Sequence, residues 1–195
     1  MKRLILMGGS PWLDGECGKD FVTTAFRYFP KRVRVAFCIF AQPESDWQET
    51  TDRNIEMFKS HEQSKSLEFK TMTTGNFEDV SKWADVIYLP GGSPSILMEK
   101  LAVAGDINVL WDNKVIAGSS AGADLFCEKF LYLQDRVFGA GLGWVKAVCI
   151  PHWRDDFDNY STKDWDWAEQ EALNRFPELP VLTIPEGRFI ELTIK

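Results

Sequence analysis

The sequence predicts an α/β protein in which helices cover both faces of an open, mostly parallel sheet. Short apolar runs alternate with longer stretches in which apolar residues recur at helical spacing, and this alternation is typical of such sheets. One run, Val33–Phe40, is almost continuously apolar, as expected of a central parallel strand that is covered on both faces. No linker or shift in composition divides the chain, so we expect one domain, residues 1–195.

The first half of the chain supplies two further strands and two helices. Arg3–Met7 is predicted as a strand and not as a signal peptide, because its four-residue apolar part ends at once in glycines. Cys17–Phe29 is predicted as a helix from the spacing of its apolar residues. Ser45–Ser64 is a polar predicted helix, and Leu67–Met72 is the next strand.

The second half repeats the alternation, beginning with the strand Val86–Leu89. Ser93 and Pro94 suit the N-cap and first position of a helix that continues through Ser95–Leu101. The other predicted elements are the helix Asp106–Asn113, the strand Val115–Ala117, the helix Ala121–Phe130, a loop through Asp135, Gly139, Gly141 and Gly143, the strand Val145–Ile150, a helix from Ser161 or Thr162 to Phe176, and the strands Pro180–Ile184 and Arg188–Ile194.

Composition excludes several classes of function. The net charge of −7 comes from acidic residues spread along the chain, so we expect no nucleic-acid partner. No apolar run is long enough to span a bilayer. The cysteines are scattered without a C-x-x-C pair, so we expect reduced, mostly buried thiols, a cytoplasmic location and no metal site or other cofactor; they are Cys17, Cys38, Cys127 and Cys149.

The segment Gly118-Ser119-Ser120-Ala121-Gly122 fits the G-x-S-x-G pattern of a nucleophile elbow. In such an elbow the central Ser120 stands in a strained strand-to-helix turn, and glycines two positions away on each side leave room for the neighbouring backbone. The alternative is an ordinary connection between a strand and a helix that is rich in small residues.

Other groups that suit acyl transfer also follow predicted strands. Gly91 and Gly92 follow a strand, and we predict that the Gly92 N–H forms an oxyanion hole with that of Ala121. A tight turn is the alternative, although it requires one glycine at most. His152 is the predicted base, because the second histidine, His61, lies in a polar helix where a solvated position is expected.

The acid that orients His152 is predicted to be Glu186, which lies in the turn after a strand. The alternatives Asp135, Asp155 and Asp156 remain open. Three tryptophans are candidates either for the wall of a small pocket or for core packing, and these are Trp12, Trp153 and Trp165.

Four segments of the chain resemble, in sequence and in their order, motifs of the serine peptidases typified by dipeptidase E (aspartyl dipeptidase) and cyanophycinase. These peptidases share the three-layer α/β/α, flavodoxin-like sandwich of class I glutamine amidotransferases, with serine in place of cysteine. The resemblance implies that Ser120 is the nucleophile, His152 the general base and acid, and Glu186 the third member of a triad. The segments are Leu89-Pro90-Gly91-Gly92-Ser93, Gly118-Ser119-Ser120-Ala121-Gly122-Ala123, Ile150-Pro151-His152-Trp153, and Pro177-Glu178-Leu179 with Ile184-Pro185-Glu186-Gly187.

Two segments depart from the family pattern. Pro90 replaces a glycine and has no N–H, so Gly91 and Gly92 must supply the donor of the oxyanion loop. Asp164-Trp165-Asp166-Trp167 is acidic and aromatic where dipeptidase-type members have basic residues, so the resemblance does not carry aspartyl specificity over to this chain.

The sequence therefore predicts a serine peptidase that cleaves an amide bond of a small peptide through an acyl-enzyme, as a monomer or a homodimer. The alternatives are an esterase or amidase with the same triad, and a catalytically idle member that binds a small ligand. Four residues that flank the predicted site are expected to contact the substrate, and they are Ser10, Ser93, Ser119 and Trp153.

Overall fold

A computed structural model describes residues 1–9, 11, 15–155 and 160–194, which form two sheets. The larger sheet contains β1 (Lys2–Met7), β2 (Arg32–Phe37), β3 (Ser66–Thr71), β4 (Val86–Leu89), β5 (Val115–Ser119) and β10 (Phe189–Ile194). Its strand order is β10-β1-β5-β4-β2-β3, and every pairing is parallel except that of β10 with β1. The predicted α/β class with a mostly parallel central sheet is confirmed.

The smaller sheet contains β6 (Cys127–Tyr132), β7 (Val137–Ala140), β8 (Val145–Pro151) and β9 (Val181–Ile184) in the order β7-β6-β8-β9. The helices are α1 (Gly15–Phe26), α2 (Trp47–His61), α3 (Phe77–Trp83), α4 (Pro94–Ala102), α5 (Ile107–Leu110), α6 (Ala121–Phe126) and α7 (Thr162–Arg175), and a single 3-10 turn, Glu44–Asp46, precedes α2.

Alternate side chains of the central strands enter different cores, as the two-residue period of a strand requires. Ile5 and Met7 of β1 pack with α1 and α2, whereas Leu4 and Leu6 pack on the other face with α3 to α6 and the smaller sheet. A third cluster joins the outer face of the smaller sheet to α7, where Trp165 is buried. Helices thus cover the central sheet on both sides, and its strand ends are held in place.

The structure corrects three predicted elements. The helix predicted for Ala121–Phe130 ends at Phe126, and β6 begins at the next residue. Val137–Ala140, expected in a loop, is a strand that pairs with β6. The helix predicted for Asp106–Asn113 is a single turn, Ile107–Leu110.

The cysteines are placed as the sequence predicts. All four cysteines are free and buried, and burial raises the pKa of the Cys38 thiol to about 12. None of the helices in the described part of the chain combines the length and the apolar character that a membrane span needs.

Candidate active site

Three side chains from the turns after β5, β8 and β9 form one hydrogen-bonded row. His152 Nε2 lies 2.8 Å from Ser120 Oγ, and His152 Nδ1 lies 2.6 Å from Glu186 Oε2. The side chains of His152 and Glu186 are 16% and 21% exposed, so the row is largely shielded from water. A neutral imidazole with its proton on Nδ1 donates to the carboxylate and leaves Nε2 free to accept the serine proton.

The end of β1 fixes the backbone of two of these turns. The N–H of Ser120 donates to the Met7 carbonyl at 3.0 Å, and the N–H of His152 donates to the Gly8 carbonyl at the same distance. A Cβ at Gly8 would overlap the backbone carbonyl of Pro185, so only glycine permits this approach of the turn after β9. The turn after β1 therefore joins the segments that carry the hydrogen-bonded row.

Gly9 makes room for the acid of the row. A Cβ at Gly9 would overlap the carboxylate of Glu186, whereas the hydrogen atom of glycine lets that carboxylate lie beside the loop. The Gly9 carbonyl also accepts a hydrogen bond from Ser119 Oγ at 2.7 Å. The sequence analysis did not assign a role to Gly8 or Gly9, although two glycines directly after a first strand were a visible signal.

Two residues of the row have strained backbone conformations. Ser120 has φ 51° and ψ −112°, and His152 has φ 55°, which are left-handed values that non-glycine residues rarely adopt. A Cβ at Gly118 would overlap the carbonyl of Gly122, in agreement with the steric requirement of an elbow. Ala121 begins α6, where backbone N–H groups have no acceptor within the helix.

The Gly91-Gly92 loop approaches Ser120 closely. A Cβ at Gly91 would lie 3.1 Å from the Cβ of Ser120, and Gly92 has φ 140° with no room for a Cβ beside the Ala41 carbonyl. In the described part of the chain, no protein acceptor takes the N–H of Gly91 or Gly92. Both N–H groups therefore remain available for a ligand near Ser120.

Gln42 orients this loop and was missed by the sequence analysis. Its side-chain Nε2 donates to the Gly91 carbonyl, while its main-chain carbonyl accepts from Trp47 Nε1 at 3.1 Å. In a trans peptide the carbonyl of Gly91 and the N–H of Gly92 point in opposite directions. By holding the carbonyl, Gln42 turns the Gly92 N–H away from itself, and Gly92 lines the same cleft as Ser120.

A cleft of about 200 Å³ opens beside Ser120 and His152. Tyr132, Tyr160 and Trp165 contribute aromatic surface to it. Its ionisable groups, besides the imidazole and the tyrosine hydroxyls, are two carboxyls, and no lysine or arginine lines it in the residues that the structure describes.

Asp124 lines the cleft one helical turn after Ser120. Its N–H donates to the Ser120 carbonyl at 3.0 Å, so Asp124 closes the first turn of the helix that Ser120 caps. The residue is 4% exposed, and its Oδ1 has no hydrogen-bond partner among the described residues. Burial raises the pKa of the Asp124 carboxyl well above its usual range, and the nearby Cys149 thiol offsets this shift only in part. No motif in the sequence marks Asp124 as a functional residue.

The structure separates the four predicted substrate contacts. Ser119 is 1% exposed and holds Gly9, and Ser93 Oγ accepts from the Ile96 N–H at 3.4 Å as the N-cap of α4. Trp153 packs edge-to-face on Trp165 with ring centroids 5.8 Å apart. These placements favour structural roles, so substrate contact stays a prediction without geometric support. Ser10, together with Trp12, lies outside the described residues.

The alternative acids lie in other positions. Asp135 lines the exposed part of the cleft, while Asp156 lies outside the described residues. Asp155 lies near the row, and its N–H donates to the His152 carbonyl at 3.1 Å. His61, expected on a solvated surface, is instead half-buried, because its ring packs where α2 meets Gly18 of α1.

One group of potential metal ligands is present in the described residues. His152, Asp155 and Glu186 each offer a ligand atom within 4.8 Å of the others. Two of these atoms belong to the hydrogen-bonded row, so a cation here would compete with the contact between His152 and Glu186. The absence of a metal remains a prediction.

Comparisons with known proteins agree with this architecture. Residues 4–194 match the sequence profile of Peptidase family S51. A peptidase from an acI-B1 Actinobacterium is 19% identical with a TM-score of 0.61, and the match covers 98% of this chain and 83% of that one. A protein provisionally named peptidase E from Listeria monocytogenes EGD-e is 16% identical with a TM-score of 0.71, and the match covers 100% of both chains.

A search of curated proteins finds no sequence that matches this chain. The two solved structures show a shared fold, and the family match spans nearly the whole sequence. The resemblance to the dipeptidase E family is thereby confirmed. The chain belongs to Peptidase family S51, and it is accordingly a hydrolase of the serine peptidase class.

Proposed function

We propose that this chain hydrolyses an amide bond of a small peptide through an acyl-enzyme on Ser120, with His152 and Glu186 as the other members of a triad. The observation that carries the proposal is the row of contacts of 2.8 Å and 2.6 Å that joins the three side chains. With the imidazole proton on Nδ1, the donors and acceptors of this row would alternate in the order that general base catalysis requires.

In the first half-reaction, Ser120 Oγ attacks the substrate carbonyl carbon while its proton moves to His152 Nε2. The imidazolium that forms is stabilised by Glu186, which accepts its Nδ1 proton in a hydrogen bond. Collapse of the tetrahedral intermediate breaks the C–N bond, and the Nε2 proton leaves with the amine. A water molecule then attacks the ester, His152 takes its proton, and that proton returns to Ser120 Oγ as the acid departs.

The negative charge on the tetrahedral intermediate requires donors that are already in place. We assign this role to the N–H groups of Gly92 and Ala121, with Gly91 as the second candidate in the loop. The support is the close approach of the glycine loop to Ser120 and the contact from Gln42 that orients it. One such donor is typically worth ~10²–10³ in kcat.

The size of the cleft favours a small substrate. The volume of the cleft is about 200 Å³, and its lining comes from a few short segments around Ser120 and His152. The aromatic surface from Tyr132, Tyr160 and Trp165 suits a side chain with an aliphatic part.

A fluorophosphonate probe tests the nucleophile directly, because it reacts with an activated serine and not with an ordinary one. We expect labelling of the wild-type protein, none of Ser120→Ala, and strongly reduced labelling of His152→Ala. Labelling that persists in Ser120→Ala would refute the assignment, and an unlabelled wild type would favour an idle binding member. Parallel assays with dipeptides and p-nitrophenyl esters then separate a peptidase from an esterase.

A further inference from the structure

Asp124 is a buried acid that has no role in the mechanism proposed for Ser120, His152 and Glu186. It belongs to the short helix that follows Ser120, it lines the cleft, and it is 4% exposed. Its Oδ1 is buried without a hydrogen-bond partner among the described residues. An unsatisfied buried acceptor is costly, so a native structure that keeps one beside a ligand cleft calls for an explanation.

Apart from His152 and the tyrosines, the ionisable residues that line the cleft are all acidic in the part of the chain that the structure describes. Asp124 and Asp135 both line it, and none of its described lining residues is a lysine or an arginine. Two arginines are close in sequence to residues that line the cleft, and both form ion pairs with other residues. Arg136 pairs with Asp164 at 2.8 Å, and Arg154 pairs with Asp166 at 2.8 Å. An anionic side chain of a substrate would find no cationic partner here, whereas an ammonium or guanidinium group would find the buried carboxyl of Asp124.

The walls of the cleft also suit a cation. Tyr132, Tyr160 and Trp165 present aromatic rings, which attract an ammonium or guanidinium group through their quadrupoles. A buried carboxyl stays neutral in an empty cleft because desolvation penalises its charge, and a cation within a few ångströms reverses that balance. A cation bound in the cleft beside Asp124 would therefore favour the ionised carboxylate.

We propose that Asp124 binds a positively charged group on the acyl half of the substrate. The group is an ammonium or guanidinium, located either on the side chain of the residue whose carbonyl is attacked or at a free N-terminus. This inference rests on the proposed function, because it places the acyl half beside Ser120. It makes the peptidase selective for cationic substrates, the opposite of aspartyl specificity.

The test uses four amides that differ only in their cations: L-lysinamide, Nα-acetyl-L-lysinamide, L-norleucinamide and Nα-acetyl-L-norleucinamide. Each is titrated as a protector of the wild type against the fluorophosphonate probe. We expect the amides that carry the recognised cation to protect at a concentration at least about tenfold lower than Nα-acetyl-L-norleucinamide. Protection by Nα-acetyl-L-lysinamide assigns the side chain as the source, and protection by L-norleucinamide assigns the N-terminus.

Two variants identify the residue responsible. Asp124→Asn keeps the shape of the side chain, and we expect it to weaken protection by the cationic amides by about 30-fold or more while leaving that of Nα-acetyl-L-norleucinamide unchanged. Asp135→Asn removes the same formal charge from an exposed position in the same cleft and serves as the matched control, with changes within about threefold. An equal loss for all four amides in Asp124→Asn, or a wild type that prefers the neutral amide, would overturn the inference.

The labelling rates keep this inference separate from the proposed function. If the wild type and Asp124→Asn react with the probe at similar rates but show no preference among the amides, the triad stands and the role of Asp124 is wrong. If the wild type does not react at all, the triad proposal fails. Calorimetric titration of Ser120→Ala with the same four amides then still measures the preference for a cation, so both outcomes decide the question.

Discussion

Replacing Asp124 by asparagine should stabilise the protein, and increasingly so as the pH rises. The unfolded carboxyl ionises near its ordinary pKa of 3.8, while burial holds the native pKa well above that value. Between these two pKa values the unfolded wild type loses a proton that the native state retains, so the free energy of unfolding falls as the pH rises. Asparagine has no proton to lose, and the stability of Asp124→Asn should not show this loss.

The size of the effect follows from proton linkage. While the native carboxyl stays protonated and the unfolded one is ionised, each pH unit changes the difference in unfolding free energy between variant and wild type by about 1.4 kcal/mol. Two units within this range therefore correspond to about 2.7 kcal/mol, a large fraction of the stability of an ordinary domain. The difference becomes constant once the pH exceeds the native pKa, so the pH at which the plateau begins measures that pKa.

Urea unfolding of the wild type and Asp124→Asn at half-unit steps from pH 5.5 to 8 measures the difference, and equal m-values establish that both unfold alike. Asp135→Asn is the control for the loss of a carboxyl, because Asp135 is exposed whereas Asp124 is buried. A constant difference between wild type and Asp124→Asn over the whole range would show that the native carboxyl is already ionised. The description of Asp124 as a neutral, desolvated acid would then be wrong.

Two further variants test the residues that position the site. Gln42→Met removes the donor that holds the Gly91 carbonyl, so we expect kcat for a dipeptide to fall about tenfold or more while KM changes within about threefold. An unchanged kcat would mean that the loop is oriented without Gln42. Gly9→Ala pushes a methyl group into the carboxylate of Glu186, so it should lower kcat by about 10²–10⁴. Glu186→Gln should lower kcat by a similar factor. Because both changes disturb the same carboxylate, the double variant should be no slower than either single variant. Additive losses in the double variant would show that the two residues act independently.

The sequence predicts the central sheet well because its strands are short apolar runs between clear turns. Val86–Leu89 agrees with β4 residue for residue. The region after Ser120 was predicted less well, because Cys127–Tyr132 has apolar residues at spacings that suit either a helix or a strand. Tertiary contacts decide between them: the N–H groups of Leu142 and Gly143 bind the carbonyls of Leu125 and Cys127, which ends the helix.

The strand β7 was missed for a related reason. Gly139 weakens any strand propensity, and its role is visible only in the fold, where a Cβ would overlap the ring of Phe130 on the neighbouring β6. A glycine that gives space to an aromatic ring looks the same in the sequence as a glycine in a loop. The pairing of Gly139 with Phe130 therefore cannot be derived from the local pattern alone.

The reactive groups of the candidate site were singled out from the sequence, whereas the residues that position them were not. Ser120, His152 and Glu186 were singled out because few residues of suitable chemistry follow the strands, and the structure brings them within hydrogen-bond distance. Gln42 and Gly9 were not, because they act through a single contact whose geometry depends on the folded loops. Asp124 was missed because a carboxyl in a short helix normally indicates a solvated face.

Asp124 is the fourth residue of α6, the helix that Ser120 caps, and this position favours one of the two sources of a substrate cation. In regular helical geometry four residues correspond to a rise of roughly 6 Å. A free α-ammonium lies only two bonds, about 2.5 Å, from the carbonyl carbon that Ser120 would attack, whereas the ammonium of an extended lysine side chain lies roughly 6 Å or more from it. The spacing therefore matches a cationic side chain better than an N-terminus, and we expect Nα-acetyl-L-lysinamide to protect more strongly than L-norleucinamide. The reverse order would mean that the acyl half approaches Ser120 along a different path from the one that α6 implies.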